Sequence, residues 1–165
     1  MARVKKTKAA NLITVGWREW VGLPDLGVAH LKAKVDTGAR TSALHAFDMK
    51  TFTREGLEYV RFVIHPFQGK MEPSIQAEAP VAEWRKVKSS NGKSELRPII
   101  ETTVELQDKR WRIELTLTRR DEMSFRMLLG REALRRHCLV NPGKSYLGGK
   151  QPSPSKGDAM KSGNS

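Results

Sequence analysis

The feature that most restricts the fold is an alternating segment that runs directly into a glycine turn. Apolar and polar residues alternate along Val28–Val35, and a period of two residues predicts a strand with one buried face. The face predicted to be buried carries Ala29, Leu31, Ala33 and Val35, and the opposite face carries Val28, His30 and Lys32. The strand ends at Asp36-Thr37-Gly38-Ala39, a run of turn residues that begins with a carboxylate.

Other segments carry the same kind of signal. Extended runs are predicted at residues 11–20, 42–52, 57–65, 81–88, 95–106, 111–118 and 127–129. Asn91-Gly92 predicts a hairpin at residues 89–92, because both residues tolerate a positive φ. The three prolines in residues 66–80 predict a loop, and Arg131–His137 predicts one short helix. Several short strands, many turns and one short C-terminal helix predict an all-β fold, a small closed β-barrel.

The distribution of charge predicts flexible ends and an acidic partner. The chain has 30 Lys and Arg residues against 18 Asp and Glu residues, a formal net charge of +12. More than half of this excess lies in residues 1–9 and 141–165. We expect a basic flexible arm at residues 1–10, one domain at residues 11–147, and a disordered Gly/Ser/Pro/Lys tail at residues 148–165. The partner could be nucleic acid, an anionic surface or an acidic polypeptide.

Several classes of protein do not fit the sequence. No apolar run reaches the roughly 18–20 residues of a membrane-spanning helix, and no apolar stretch of the secretory type follows the basic N-terminal residues. The single cysteine, Cys138, cannot form an internal disulfide, which fits a reducing compartment. We therefore expect a cytoplasmic location and no membrane partner.

The order of residues at the end of the alternating strand is suited to a reactive carboxylate held in a cleft. Asp36 can point from a strand end into a cleft, Thr37 can lock the turn, and Gly38 lets the backbone N–H approach the carboxylate. The alternative is a β-turn that holds these three residues by chance. A second segment, Leu128-Leu129-Gly130-Arg131, lies about 90 residues further along and leads into the predicted helix.

Together these segments resemble the retropepsin-like aspartic proteases. In that family a turn like Asp36-Thr37-Gly38-Ala39, with Ser42 after it, is catalytic, and a segment like Leu128–Arg131 packs beside it. The family's flap hairpin lies between the two, where Ser89–Gly92 stands here. The resemblance implies a small closed retropepsin-like (acid protease) β-barrel with a flap hairpin and one short C-terminal helix.

A closer resemblance is to a bacterial retropepsin-like family often found beside ATP-grasp glutamate ligases and once labelled an ATP-dependent zinc protease. It is carried by Val35–His45, by Arg85–Gly92 with Arg97–Ile100, and by Met127–Leu134. The resemblance implies peptide hydrolysis of oligoglutamate tails, such as those that the RimK ligase adds to a small-subunit ribosomal protein. A glutamylated protein or acidic peptide is then the substrate, and an ATP-grasp ligase is a candidate partner.

The aspartic protease mechanism needs two carboxylates that share one proton. Only one Asp-Thr-Gly occurs in this chain, at Asp36, and neither Asp25, Asp121 nor Asp158 lies in a matching context. The resemblance therefore implies a two-fold homodimer in which each copy contributes Asp36. Catalytic roles are expected for Asp36, Thr37 and Gly38.

The remaining site residues are expected to bind substrate or support the turn. Arg40 replaces an acidic residue of retroviral members and could grip a carboxylate, and the flap segment has a net positive charge. The alternative is that the flap cations face water. Substrate binding is expected of Ala39, Arg40, Arg85, Lys88, Asn91, Gly92 and Arg97. Structural support is expected of Ser42, Leu129, Gly130 and Arg131, with Arg131 paired to an acid.

Other chemistries were weighed against this interpretation. The histidines at 30, 45, 65 and 137 form no zinc-binding motif, although His30 and His45 could approach each other across strands. His137 and Cys138 are adjacent on a predicted helix and point in different directions. We expect no cofactor and no metal. Nucleic-acid binding by the basic, tryptophan-containing chain is the main rival, and a binding module that keeps the barrel without catalysis is a third possibility.

Overall fold

The structure is a computed structural model that describes residues 11–67, 72–88, 91–119 and 125–149. The strands within these ranges are β1 (Ile13–Val15), β2 (Arg18–Leu23), β3 (Val28–Val35), β4 (Ser42–His45), β5 (Phe47–Arg54), β6 (Leu57–Ile64), β7 (Ile75–Pro80), β8 (Glu83–Lys88), β9 (Ser94–Leu106), β10 (Lys109–Thr118), β11 (Met127–Leu129) and β12 (Cys138–Val140). A 3₁₀ turn, Pro24–Leu26, joins β2 to β3, and the helix α1 spans Arg131–Leu134.

Six strands close into a barrel. Their order is β10-β4-β11-β3-β2-β9, and β9 pairs antiparallel with β10 to complete the ring. The expected all-β closed barrel is thereby confirmed. β8 extends the ring at one side as the hairpin partner of β9, while β5-β6-β7 form a separate three-stranded sheet and β1 pairs in parallel with β12.

The barrel interior and the inner face of the three-stranded sheet share one hydrophobic core. Alternate residues of each strand point inward, so Leu31, Leu115 and Leu117 are fully buried in the barrel. Val60, Phe62 and Ile64 on β6 join the same cluster from the separate sheet. This shared core fixes the barrel strands that carry the site.

The structure corrects the predicted loop at residues 66–80. Ile75–Pro80 forms β7 and pairs with β6 along the whole strand, from Ile64 opposite Ile75 to Tyr59 opposite Pro80. Its inward residues are Ala77 and Ala79, whose small side chains give only a weak alternating signal. Pro80 is tolerated because β7 is an edge strand of this sheet, so no neighbour on its open side needs the missing N–H.

Two other predicted elements differ from the structure: one strand is divided in two, and the helix is shorter than expected. The run at residues 42–52 divides at the buried Ala46, whose N–H donates to the Thr118 carbonyl, so β4 lies in the barrel and β5 in the separate sheet. The helix predicted at Arg131–His137 ends at Leu134, and its next residues turn directly into β12.

A β-bulge makes the first part of β3 differ from the prediction, because it changes which residues face the core. Val21 lies opposite Leu31, but Leu23 lies opposite Val28, so one extra residue of β3 stands between the two pairs. This extra residue reverses the alternation. Val28 is therefore buried and Ala29 exposed, whereas Leu31, Ala33 and Val35 are buried as predicted.

A buried carboxylate fastens the end of the described chain to the barrel. Glu19 of β2 is fully buried, and its Oε2 accepts from the N–H groups of Gly16 at 2.7 Å and Leu147 at 2.9 Å. Its Oε1 accepts from the Gly148 N–H at 3.0 Å. The arm at residues 1–10 and residues 150–165 of the expected tail lie outside the described residues, so both domain limits stay predictions.

No helix in the described part of the chain is long and apolar enough to cross a membrane.

Candidate active site

The turn after β3 orients the Asp36 carboxylate. The Asp36 N–H donates to the Leu129 carbonyl at 2.8 Å, which anchors the turn to β11. Asp36 Oδ1 accepts from the N–H groups of Gly38 at 3.1 Å and Ala39 at 3.2 Å. A Cβ at position 38 would stand 3.3 Å from this oxygen, so glycine permits the close approach. The partly buried carboxylate therefore has one oxygen held by the backbone.

Strand β11 supports the Asp36 turn from the side. It lies between β3, to which it runs parallel with Leu129 opposite Val35, and β4, to which it runs antiparallel. The Gly130 N–H donates to Ser42 Oγ at 2.9 Å in a buried hydrogen bond. Segments more than 80 residues apart in the sequence are thus joined beside Asp36.

The start of α1 completes this support. The Arg131 N–H donates to the Ala39 carbonyl at 2.7 Å, and its guanidinium donates to the Thr37 carbonyl at 3.0 Å. The partner of Arg131 is thus a backbone carbonyl rather than the expected acidic side chain. Its guanidinium closes the turn directly, without an intervening carboxylate.

Two of the expected substrate-binding residues line one open depression of about 710 Å³. Arg40 approaches it from the turn and Arg85 from β8. Arg85 also pairs with Glu83 at 3.0 Å and Glu114 at 3.5 Å, and the Glu83 carboxylate raises the pKa of this guanidinium. Arg112 of β10 lies in the same depression, although it was not among the residues expected to bind substrate. No local pattern marks Arg112, because it joins the depression only through the barrel pairing.

The other flap residues lie along the β8–β9 hairpin. Arg97 stands opposite Arg85, is buried, and pairs with Glu95 at 3.2 Å, so its guanidinium is directed to the hairpin rather than to the depression. Lys88 is exposed opposite Ser94. Asn91 Oδ1 accepts from the Lys93 N–H, and Gly92 has a φ of 86°. Ser89 and Ser90 of the predicted tip lie outside the described residues.

The histidines and the cysteine are placed in separate packing roles. His45 and His65 both contact the ring of Phe47, at centroid distances of 4.4 Å, and His137 stacks on Trp111 at 4.6 Å. Burial raises the pKa of the Cys138 thiol to about 11, which disfavours the reactive thiolate. The described ranges contain no group of three or more His, Cys, Asp or Glu residues that could hold a metal ion.

Residues 14–151 match the model of a protein family described as the retropepsin-like aspartic endopeptidase RimB. The chain belongs to this RimB-like family. The resemblance seen in the sequence is thereby confirmed, and membership supports a protease-like fold and a possible peptidase.

Curated relatives of the chain are much longer proteins. The chain is 45% identical over 141 residues to a protein of Shewanella pealeana named probable α-L-glutamate ligase, covering 86% of this chain and 31% of the relative. A protein of the same name from Parasynechococcus marenigrum is 46% identical over 134 residues, covering 81% of this chain and 29% of the relative. The chain thus spans about a third of the length of these relatives.

A solved structure shares the fold. The crystal structure of a Legionella pneumophila protein of unknown function superposes with a TM-score of 0.70 at 28% identity. The match covers 83% of this chain and 98% of the Legionella chain.

Proposed function

We propose that the chain is an aspartic peptidase that acts as a homodimer on glutamate-rich tails. The observation that carries this proposal is the Asp36 carboxylate, which Gly38 and Ala39 hold by their N–H groups in a turn braced by Gly130 and Ser42. A carboxylate oriented in this way, on a fold of the RimB-like family, is suited to activate a water.

The reaction needs a second carboxylate, which the proposal assigns to Asp36 of another copy. The ionised member of the pair takes a proton from a water, whose oxygen attacks the scissile carbonyl carbon. The protonated member donates its proton to the carbonyl oxygen. The tetrahedral diol then breaks the C–N bond, the amine leaves with a proton, and the dyad returns to its one-proton state.

The choice of substrate rests on charge and on the relatives. Arg40, Arg85 and Arg112 line one depression together with Glu114 and Glu132, which leaves one net positive charge, and guanidinium groups bind carboxylates in bidentate geometry. The curated relatives carry a segment like this chain within proteins named for ligation of glutamate. A product of such a ligase would be a glutamate tail, which this site could shorten.

The decisive test is Asp36→Asn with a glutamylated peptide as substrate. We expect the variant to lose at least roughly a thousandfold in kcat/KM, because a homodimer of the variant has lost both carboxylates of the dyad. Shortened products are measured by mass spectrometry. Asp48→Asn is the matched control, since Asp48 is exposed at a φ of 51° that asparagine also adopts. Full activity in Asp36→Asn would overturn the proposal.

A further inference from the structure

Three cations lie on the outward face of the strands that lead to Asp36. Leu31, Ala33 and Val35 of β3 are buried, so the alternation turns Lys32 and Lys34 to the opposite face. Asp36 follows Lys34 by two residues, directly after the end of β3 at Val35. Across the ladder Arg18 of β2 stands opposite Lys34. We call Arg18, Lys32 and Lys34 the basic strip.

Aromatic rings contact two of the three cations of the basic strip, Arg18 and Lys32. The Arg18 guanidinium lies 4.5 Å from the centroid of Trp17 and 4.8 Å from that of Tyr146. Lys32 Nζ lies 5.3 Å from the centroid of Phe125. Rings of this kind attract cations through their π faces and orient them without neutralising their charge.

No acidic side chain of the described residues pairs with the basic strip. Many other arginines of the barrel and the separate sheet do form ion pairs with carboxylates: Arg54, Arg61, Arg85, Arg97, Arg110, Arg112 and Arg135. Arg18 Nε is buried without a hydrogen-bond partner. Burial and the nearby charge of Arg18 lower the pKa of Lys32. Arg18 and Lys32 are half-buried and Lys34 is exposed, so the three like charges stand close together at the surface, where a bound anion would offset their mutual repulsion.

We infer that the basic strip binds side-chain carboxylates of the substrate beside the bond that Asp36 attacks. The inference rests on the proposed function and extends it, because it assigns acid recognition to the barrel wall as well as to the arginine depression. Lys34, two residues before Asp36, is the residue placed nearest to the reacting carboxylate along the strand. An acidic peptide fits better than a nucleic acid, since Arg18 and Lys32 already lie over ring faces that bases would need for stacking.

The test measures binding rather than turnover. All variants are made in the full chain with Asp36→Asn, so that bound peptide is not cleaved. Octaglutamate and octaglutamine are titrated by calorimetry with and without Lys34→Gln. We expect Lys34→Gln to raise the Kd of octaglutamate roughly threefold to fivefold, as for loss of one exposed charge contact, and to reduce the salt dependence of that binding. The control is Lys50→Gln, an exposed cation on the distant β5, which should leave the Kd of octaglutamate unchanged.

Each alternative outcome is decisive. Equal effects of Lys34→Gln and Lys50→Gln on octaglutamate would overturn the inference, as would equal effects of Lys34→Gln on octaglutamate and octaglutamine. Tighter binding of a single-stranded oligoribonucleotide that depends on Lys34 would overturn it in favour of nucleic acid. Lys34-dependent octaglutamate binding by a chain whose Asp36-containing form cleaves nothing would retain the inference and remove the proposed hydrolysis. Cleavage together with octaglutamate binding that does not depend on Lys34 would overturn the inference and retain the proposed hydrolysis.

Discussion

At the residue scale, Gly130 is the position at which the site tolerates least change. A Cβ there would stand 2.5 Å from both the carbonyl carbon and the carbonyl oxygen of Thr41. Both are backbone atoms, so neither can move without shifting the chain that leads from the Asp36 turn into β4. The absence of a side chain at Gly130 therefore sets how closely β11 can approach Asp36.

Gly130→Ala should destabilise the fold by about 1–3 kcal/mol or more, the usual range for overpacking a tight site. Gly143→Ala is the matched control, because its Cβ would meet only Asn141 Oδ1 at an ordinary 3.5 Å. The measurement is the free energy of unfolding in urea, with kcat/KM measured in parallel. Equal free energies of unfolding for the two variants would contradict the proposed steric role.

At the scale of elements, Glu19 joins β2 to the segment that follows β12. Its two carboxylate oxygens accept from three backbone N–H groups, including those of Leu147 and Gly148. Glu19→Gln would place an amide NH₂ against at least one of these donors. We expect a loss of about 1.5–3 kcal/mol, the range for hydrogen bonds to charged groups, and faster hydrogen exchange at Leu147 and Gly148.

The matched control for Glu19→Gln is Glu105→Gln, which breaks a pair between the exposed Glu105 and Arg110 at 2.6 Å. Exposed pairs contribute about 0–1 kcal/mol, so this variant should unfold at nearly the wild-type urea concentration. If the two variants lost the same stability, Glu19 would not be fastening the segment.

The sequence could predict elements whose signal lies in neighbouring residues, but not features that depend on pairing between distant strands. The alternation of β3 and the turn at Asp36 are local patterns, and both were predicted with the correct limits. β7 was missed because its buried residues are two alanines, and the faces at Val28 and Ala29 were wrong because the bulge depends on pairing with β2. Arg112 was missed because only the closed ring brings β10 to Arg40. Local periodicity predicts strands, whereas the lining of a depression depends on tertiary pairing.

At the scale of the whole molecule, a single Asp-Thr-Gly turn makes association part of the proposed chemistry. A dyad built from two copies of Asp36 predicts that specific activity falls when the protein is diluted below the Kd of the dimer. Sedimentation should give twice the monomer mass of 18.6 kDa wherever activity is full. Mixing in excess Asp36→Asn chains should reduce activity further, since mixed dimers have one carboxylate. Full activity in a sample that sediments only as monomer would contradict the dimer.

The position of β11 also dictates when the turn can form during synthesis. β11 inserts between β3 and β4, although some 90 residues separate it from them in the chain. The carbonyl of Leu129 and the N–H of Gly130 reach Asp36 and Ser42 only after nearly all of the barrel has been translated. Contacts of such long sequence separation form late in folding. A nascent chain therefore carries Asp36 for most of its translation without the brace that orients the carboxylate, so that the proposed hydrolysis could begin only once the barrel is closed.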